Sequence, residues 1–235
     1  MVEEFVLTDN HNRLLEVASR LKTLPQDAPR MGIGYGSFGL GKTMSIARIT
    51  AMEGAVAFRA AQTWTKSGFL SLLCEKLALD TSGSTSAKYR RVVEYLAIDP
   101  KIIIIDEIDA LLRSEKIAIL EILRDIHDET PSPLLLVGME GCEAKLRRHQ
   151  HFYSRIVERV LFTMAKADDI TRFCKLCKVS ISDEIVAHLT AKYPNFRQIK
   201  VMLIRLETWC ELNGKKSATL KDWKSAGVED GIRQL

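Results

Sequence analysis

Gly36-Ser-Phe-Gly-Leu-Gly-Lys-Thr43 follows the short apolar run Met31 to Tyr35, and its residue order, G-x-x-x-x-G-K-[ST], is the point from which the rest of the chain is read. Glycines at 36, 39 and 41 let the main chain approach an anion closely. Successive N–H groups then turn inward at the start of a helix whose dipole favours negative charge. Lys42 supplies a point charge for the β and γ phosphates of a nucleotide, and the Thr43 hydroxyl is placed to ligate Mg²⁺. The expected nucleotide-binding residues are Gly36, Ser37, Phe38, Gly39, Leu40, Gly41, Lys42, Thr43 and Met44. The plain alternative is a glycine-rich turn that happens to precede Lys-Thr.

Outward from this loop, strand and helix patterns alternate. Thr8-Asp9-Asn10 offers N-cap chemistry for a helix with Leu14, Leu15, Val17, Ala18 and Leu21 as its buried stripe, ended by Pro25 and Pro29. Met31 to Tyr35 reads as the first core strand and Lys42 to about Met52 as the following helix. Ala55 to Arg59 is a second strand, Trp64 to Leu79 a helix, and the loop Thr81 to Ser86 leads through Lys88-Tyr-Arg-Arg91 into another. Lys101-Ile-Ile-Ile-Ile105 fits a strand buried on both faces of a parallel sheet. A helix over 110–127, a strand at Leu134 to Val137, a helix around Glu143 to His149 and a last core strand near Val160 to Thr163 complete the series. From Asp168 onward only helices are expected: Asp169 to Lys178, Asp183 to Lys192, Arg197 to Leu212 and Leu220 to about Val228. The fold class is therefore α/β, a five-stranded parallel sheet with helices on both faces. Residues 1–165 are expected to form the nucleotide-binding domain and residues 166–235 a small all-helical domain.

Asp106-Glu107 closes the isoleucine strand and supplies the second half of a nucleotide site. Carboxylates at a strand end can stand beside Mg²⁺ and an attacking water, with Asp106 holding the metal and Glu107 polarising the nucleophile. Two acids at a strand end can also be a solvated turn, a reading that loses ground once a phosphate loop lies upstream.

The combination of Gly36 to Thr43, Ile102-Ile-Ile-Ile-Asp-Glu-Ile-Asp109, Ser154-Arg155-Ile156 and a helical tail with Asn195-Phe-Arg197 resembles the AAA+ ATPases over nearly the whole chain. Within them it looks most like the transposition-regulator ATPases, the group of the phage Mu B protein and the TnsC-like and TniB-like proteins. The residues suggesting this group are Thr8-Asp-Asn10 with Arg13, Trp64, Val137-Gly138 and Ser154-Arg155-Ile156. The resemblance implies ATP and Mg²⁺ as cofactors, partner-stimulated ATP hydrolysis, and ATP-dependent assembly of copies of the chain into a ring or filament on duplex DNA. It further implies a transposase as partner and a bacterial, phage- or transposon-encoded origin. It places Arg155 as an arginine finger reaching the γ-phosphate bound by a neighbouring copy, with Arg147 and Arg148 as fallbacks, and Arg197 as the second sensor. Each arginine has a plain alternative as a surface charge.

One departure stands out. Where such proteins carry a small polar sensor after the fourth strand, this chain has Gly138-Met139-Glu140, and Met139 cannot orient a water as Asn or Thr would. Hydrolysis is accordingly expected to be slow, with the bound nucleotide acting as an assembly switch. Lys66, Lys88, Arg90 and Arg91 are the candidate DNA contacts, able to meet phosphates without reading bases. Their alternative is a solvated helix face, and Lys145 to Arg148 and Lys215-Lys216 are competing patches.

Composition sets the outer limits. The 235 residues are 46% apolar and 27% charged, ordinary globular values, and the net charge of +4 permits nucleic-acid binding without demonstrating it. No apolar run approaches a membrane span, and the acidic start Met-Val-Glu-Glu is unlike a secretory signal, so a cytoplasmic location and no membrane partner are expected. Five irregularly spaced cysteines argue for reduced thiols, with Cys174 and Cys177 as two small core residues on one helix face. The competing functions are a helicase or initiator loader of DNA replication, a small-molecule P-loop kinase, and a nucleotide-gated signalling switch without DNA.

Overall fold

The computed structural model describes residues 1–2, 4–25, 27–112, 117–193 and 195–232. Five parallel strands form one sheet: β1 (Met31–Tyr35), β2 (Val56–Arg59), β3 (Ile103–Asp106), β4 (Leu134–Gly138) and β5 (Ile156–Leu161), in the order β2-β3-β4-β1-β5. The β3 isoleucines are 0–2% exposed, and burying each contributes roughly 1.5–3 kcal/mol. That burial on both faces is why the run shows no polar alternation.

Side chains alternate across the sheet. Met31, Ile33, Ile103, Ile105, Leu134 and Leu136 join one core cluster with Phe58, Trp64, Phe69, Leu73, Leu96, Leu120 and Leu123. The latter come largely from α3 (Lys66–Lys76), α4 (Thr85–Ile98) and α5 (Ile117–Glu129). On the opposite face lies α1 (Asp9–Thr23), and the glycines of β1 explain how it fits. A Cβ at Gly32 would stand 2.9 Å from Leu21 Cδ1, and one at Gly34 would stand 3.1 Å from Leu14 Cδ1. The glycine-rich strand is thus a seat for the leucine stripe of α1.

By compactness the chain divides into two units: Arg13–Ser37 with Lys42–Phe162, and Met1–Asn12 with Phe38–Gly41 and Thr163–Leu235. The first contains the sheet. The second contains α8 (Ala167–Cys174), α9 (Asp183–Lys192), α10 (Phe196–Leu212) and α11 (Leu220–Ser225) around Ile170, Leu189, Tyr193, Ile199, Leu203, Leu206 and Trp223. Phe173 stacks on Phe196 at 5.1 Å between ring centres. Cys174 is buried and Cys177 half-buried, and burial pushes both thiols up to about 12.

Several boundaries differ from the sequence expectation. The last core strand is β5 at Ile156–Leu161, not near Val160 to Thr163, because its pairing with β1 begins at Met31↔Ile156 and slips once before Gly32↔Glu158. Charged Glu158 and Arg159 sit inside this edge strand and hide its apolar period. The expected helix over 110–127 becomes a single 3-10 turn, Ile108–Ala110, followed by α5, with 113–116 outside the described residues. The stretch Glu143 to His149 is split into α6 (Cys142–Leu146) and α7 (Gln150–Tyr153). The tail is not purely helical: β6 (Ser180–Ile181) pairs in parallel with β7 (Ser217–Ala218). Strands of two residues are too short to show a period. Among the described residues no helix is long and apolar enough to cross a membrane.

Candidate nucleotide-binding site

The loop leaves β1, the strand flanked by β4 and β5, while the chain runs on to β2 at the far edge. That reversal at the carboxyl ends of the strands is where open α/β sheets bind ligands. Gly36 is required there by space, since a Cβ would stand 2.7 Å from the Phe162 carbonyl oxygen. Lys42 opens α2 (Lys42–Glu53) and is 9% exposed. Its ammonium donates to the carbonyls of Gly36 at 2.6 Å and Ser37 at 2.7 Å. The charge is therefore held at the loop instead of ranging through solvent. Phe38 and Met44 are largely exposed.

Thr43 Oγ1 donates to Asp106 Oδ2 at 2.7 Å, so the structure brings together the two residues expected to hold Mg²⁺. Asp106 is 4% exposed, and its other oxygen accepts the Glu107 N–H at 2.8 Å. A hydroxyl and one carboxylate are hard oxygen donors of the sort Mg²⁺ accepts while keeping water and phosphate ligands. Among the described residues no group of three or more His, Cys, Asp and Glu could hold a metal.

Glu107 adopts φ 54° and ψ 42°, left-handed for a residue with a Cβ. Such a conformation costs roughly 1–3 kcal/mol and persists only where the surroundings impose it. Its carboxylate pairs with Arg59, which ends β2 directly opposite Asp106. Asp109 Oδ2 accepts the Met139 N–H at 2.7 Å and so braces the exit of β4. Met139 Sδ lies 3.8 Å from the Lys42 ammonium. Glu140 Oε2 accepts from Ser37 Oγ at 2.7 Å. The acid one position after Met139 therefore reaches the loop, which sequence position alone did not show. Arg59 and Asp109 were also missed; the available signal was a charge closing an apolar strand beside the Asp106 strand, and a third acid in the same run.

A protein-family model described as the AAA domain matches residues 26–146, just over half of the chain. The chain belongs to this AAA domain family. A potential ATP-binding protein of Staphylococcus aureus is 47% identical over 71 residues, a match covering 30% of this chain and 23% of that relative's length. Among solved structures, the Aeropyrum pernix ORC2 protein in ADPNP-ADP complexes is similar with a TM-score of 0.71 at 16% identity, covering all of this chain and 72% of that one. The Aeropyrum pernix ORC1 protein in complex with DNA gives 0.62 at 18% identity, covering 95% and 66%. The Thermotoga maritima RuvB Holliday junction branch migration motor gives 0.64 at 16% identity, covering 99% and 72%. At these identities the likeness is one of fold, and the fold is that of an AAA domain.

Arg155 immediately precedes β5, at the end of the parallel sheet opposite Asp106. Its guanidinium forks onto Asp128 at the end of α5, with distances of 2.6 and 2.7 Å. Burial raises the Asp128 carboxyl, but the bonds from Arg155 and His127 outweigh it and hold it below its ordinary range. These residues line a cavity of about 640 Å³ with Arg30, His127, Glu129 and Ser154. Arg197 is exposed in the first turn of α10, and Arg147 is exposed and paired with Glu143 at 2.9 Å. Arg148 is exposed as well.

The candidate DNA contacts separate. Lys66 and Arg90 are exposed. Lys88, expected as a DNA contact with a solvated helix face as the alternative, is instead 8% exposed, with its ammonium bonded to Ser71 at 2.8 Å and Ser67 at 3.3 Å. Through these two hydroxyls it joins α4 to α3. Its position on the inward stripe with Val92 and Leu96 was the available signal. Arg91 is half-buried and paired with Asp80 at 3.2 Å.

The Arg59 pair carries a direct expectation. Arg59→Ala frees the Glu107 carboxylate and is expected to raise basal ATP hydrolysis several-fold, as measured by phosphate release, with ATP affinity within about twofold of the parent. An unchanged or lower rate means that the pair does not restrain Glu107.

Proposed function

We propose that this chain is an ATP-dependent, DNA-binding AAA+ regulator of DNA transposition that oligomerises on duplex DNA and recruits or activates a transposase, with slow ATP hydrolysis as its switch. The observation that carries the nucleotide chemistry is the meeting of Thr43 with Asp106 beside the Lys42 loop. In this reading residues 1–165 form the nucleotide-binding domain and residues 166–235 the lid. Lys42 and the loop N–H groups bind the phosphates, while Thr43 and Asp106 hold the magnesium ion. An ion held there would supply charge neutralisation for the bound phosphates. Glu107 polarises the attacking water, Arg197 meets the γ-phosphate from its own subunit, and Arg155 meets the one bound by a neighbour. The Met139 thioether is a weak acceptor and no donor, a poor group for orienting the water, which supports slow turnover.

The transposition assignment is supported by Thr8-Asp-Asn10 with Arg13, Trp64 and Ser154-Arg155-Ile156. A second reading, a helicase or initiator loader of replication, is favoured by the fold likeness to the ORC proteins, one of them solved in complex with DNA. Sedimentation with ATP, ADP or neither, with and without duplex DNA, tests the shared core. Assemblies specific to ATP and duplex support it, and a monomer under all conditions overturns it. Adding a transposase or a replicative helicase from the same genome then separates the two readings by which one alters the hydrolysis rate.

Charge reversal at the two exposed candidates, Lys66→Glu with Arg90→Glu, is expected to weaken duplex binding while ATP binding survives. The slope of log affinity against log salt should shrink by about 0.9 for each phosphate that the protein no longer neutralises. An unchanged slope places the DNA elsewhere, with Lys145 to Arg148 and Lys215-Lys216 as the next patches to reverse.

A further inference from the structure

We propose that Asn10 and Asn195 are positioning residues that aim the N–H groups of the loop tip at the phosphates, and that Asn195 ties the tip to the helix carrying Arg197. The proposal rests on the reading of Gly36 to Thr43 as a phosphate loop. Phe38–Gly41 belongs to the same compact unit as both asparagines. Asn195 Nδ2 donates to the Phe38 carbonyl at 3.0 Å, and Asn10 Nδ2 donates to the Leu40 carbonyl at 3.3 Å. Across a planar trans peptide the carbonyl of one residue and the N–H of the next point in opposite directions. A donor that pins the Phe38 oxygen therefore directs the Gly39 N–H to the other side, and one that pins the Leu40 oxygen does the same for Gly41. The two amides set the direction of two of the donors on which an anion nest depends.

Both side chains are built in. Asn10 is 1% and Asn195 is 3% exposed, so water does not compete for their partners. Asn10 is itself held by the main chain of Thr163, donating to its carbonyl at 2.8 Å and accepting its N–H at 2.9 Å. Those two bonds distinguish the amide nitrogen from the oxygen. Asn195 Oδ1 caps α10 by accepting from Arg197 N at 2.9 Å and Gln198 N at 3.4 Å. One amide thus bonds the loop tip through its nitrogen and the first turn of the Arg197 helix through its oxygen. Gly39 makes room for it: a Cβ there would stand 2.0 Å from Asn195 Oδ1.

The two ends of Asn195 can be separated by substitution. Asn195→Ser keeps an oxygen of similar capping strength for α10 but loses the donor to Phe38. Asn195→Asp keeps both shape and cap and turns an acceptor toward the Phe38 carbonyl. Fluorescence titration with a methylanthraniloyl derivative of ATP is expected to show dissociation constants raised about tenfold for Asn195→Ser, a change of ~1.4 kcal/mol, and more for Asn195→Asp. The melting temperature without nucleotide should fall by several degrees in both variants because a buried partner is lost, with both still folded at the titration temperature, and kcat at saturating ATP should change less than affinity. Affinity within twofold of the parent for both variants overturns the proposal. So does loss of folded structure in both at the titration temperature, seen by circular dichroism, which would make Asn195 a fold anchor only. The parent and Lys42→Ala are titrated alongside: failure of the parent to bind, or binding unaffected by Lys42→Ala, overturns the phosphate-loop reading itself, whereas binding abolished in Lys42→Ala and kept in the Asn195 variants overturns the positioning role alone.

Discussion

Glu107→Gln is expected to lower the ATP hydrolysis rate by at least about a hundredfold, the usual contribution of a positioned general base, while ATP affinity stays within about threefold of the parent. The amide matches the carboxylate in shape but cannot accept the proton of the attacking water, and Asp106, Thr43 and Lys42 are left in place to bind nucleotide. Because Glu107 pairs with an exposed Arg59 rather than with a buried partner, the substitution strands no buried charge. Removal of the carboxylate should therefore cost little stability. Phosphate release and nucleotide titration, run on the same preparation, check both halves. A parent-like rate removes Glu107 from the chemistry, and a collapse of affinity shows that it serves binding instead. In the assembly proposed above, this variant should also persist as the ATP form, giving DNA-bound assemblies that outlast those of the parent.

Arg155→Ala is expected to abolish most of the hydrolysis that depends on assembly, by about a thousandfold, the lower range for arginine fingers acting on phosphoryl transfer. Its isolated ATP affinity should remain close to that of the parent, since Arg155 stands at the opposite end of the sheet from Asp106. The discriminating measurement is a mixture. Arg155→Ala subunits retain Glu107, and Glu107→Gln subunits retain Arg155, so a site shared between one of each is complete. Mixing two nearly inactive preparations should restore a substantial fraction of the activity. No recovery places Arg155 in cis or outside the site altogether. The fork onto Asp128 gives a second reading of the same variant, because loss of the guanidinium removes a group that holds the Asp128 carboxyl low.

The parts of this fold legible in the chain were those with a period or a fixed spacing. Ile102 to Ile105 declared a strand buried on both faces, Leu14 to Leu21 declared one face of a helix, and Gly36 to Thr43 declared an anion nest before any partner was known. The parts that failed did so for local reasons. Glu158 and Arg159 interrupt the apolar pattern of β5, which shifted the expected strand by several residues. The pair β6 and β7 is two residues long on each side, and its hydrogen bonds come from chain segments far apart in sequence. Lys88 looked like one more member of a basic run, but its place on the helix turns it inward to Ser67 and Ser71.

By itself, the order of residues determined that a phosphate loop follows a buried strand, that two acids close another, and that a helical tail comes after the sheet. These are consequences of covalent neighbours and short periods, which act within a few residues. Only the tertiary structure decided that Thr43 meets Asp106, that Arg59 holds Glu107, that Glu140 reaches Ser37, and that Asn10 and Asn195 take the loop carbonyls. Each of these pairings joins residues tens to hundreds of positions apart, so its existence depends on strand order and register, quantities set by packing the whole core.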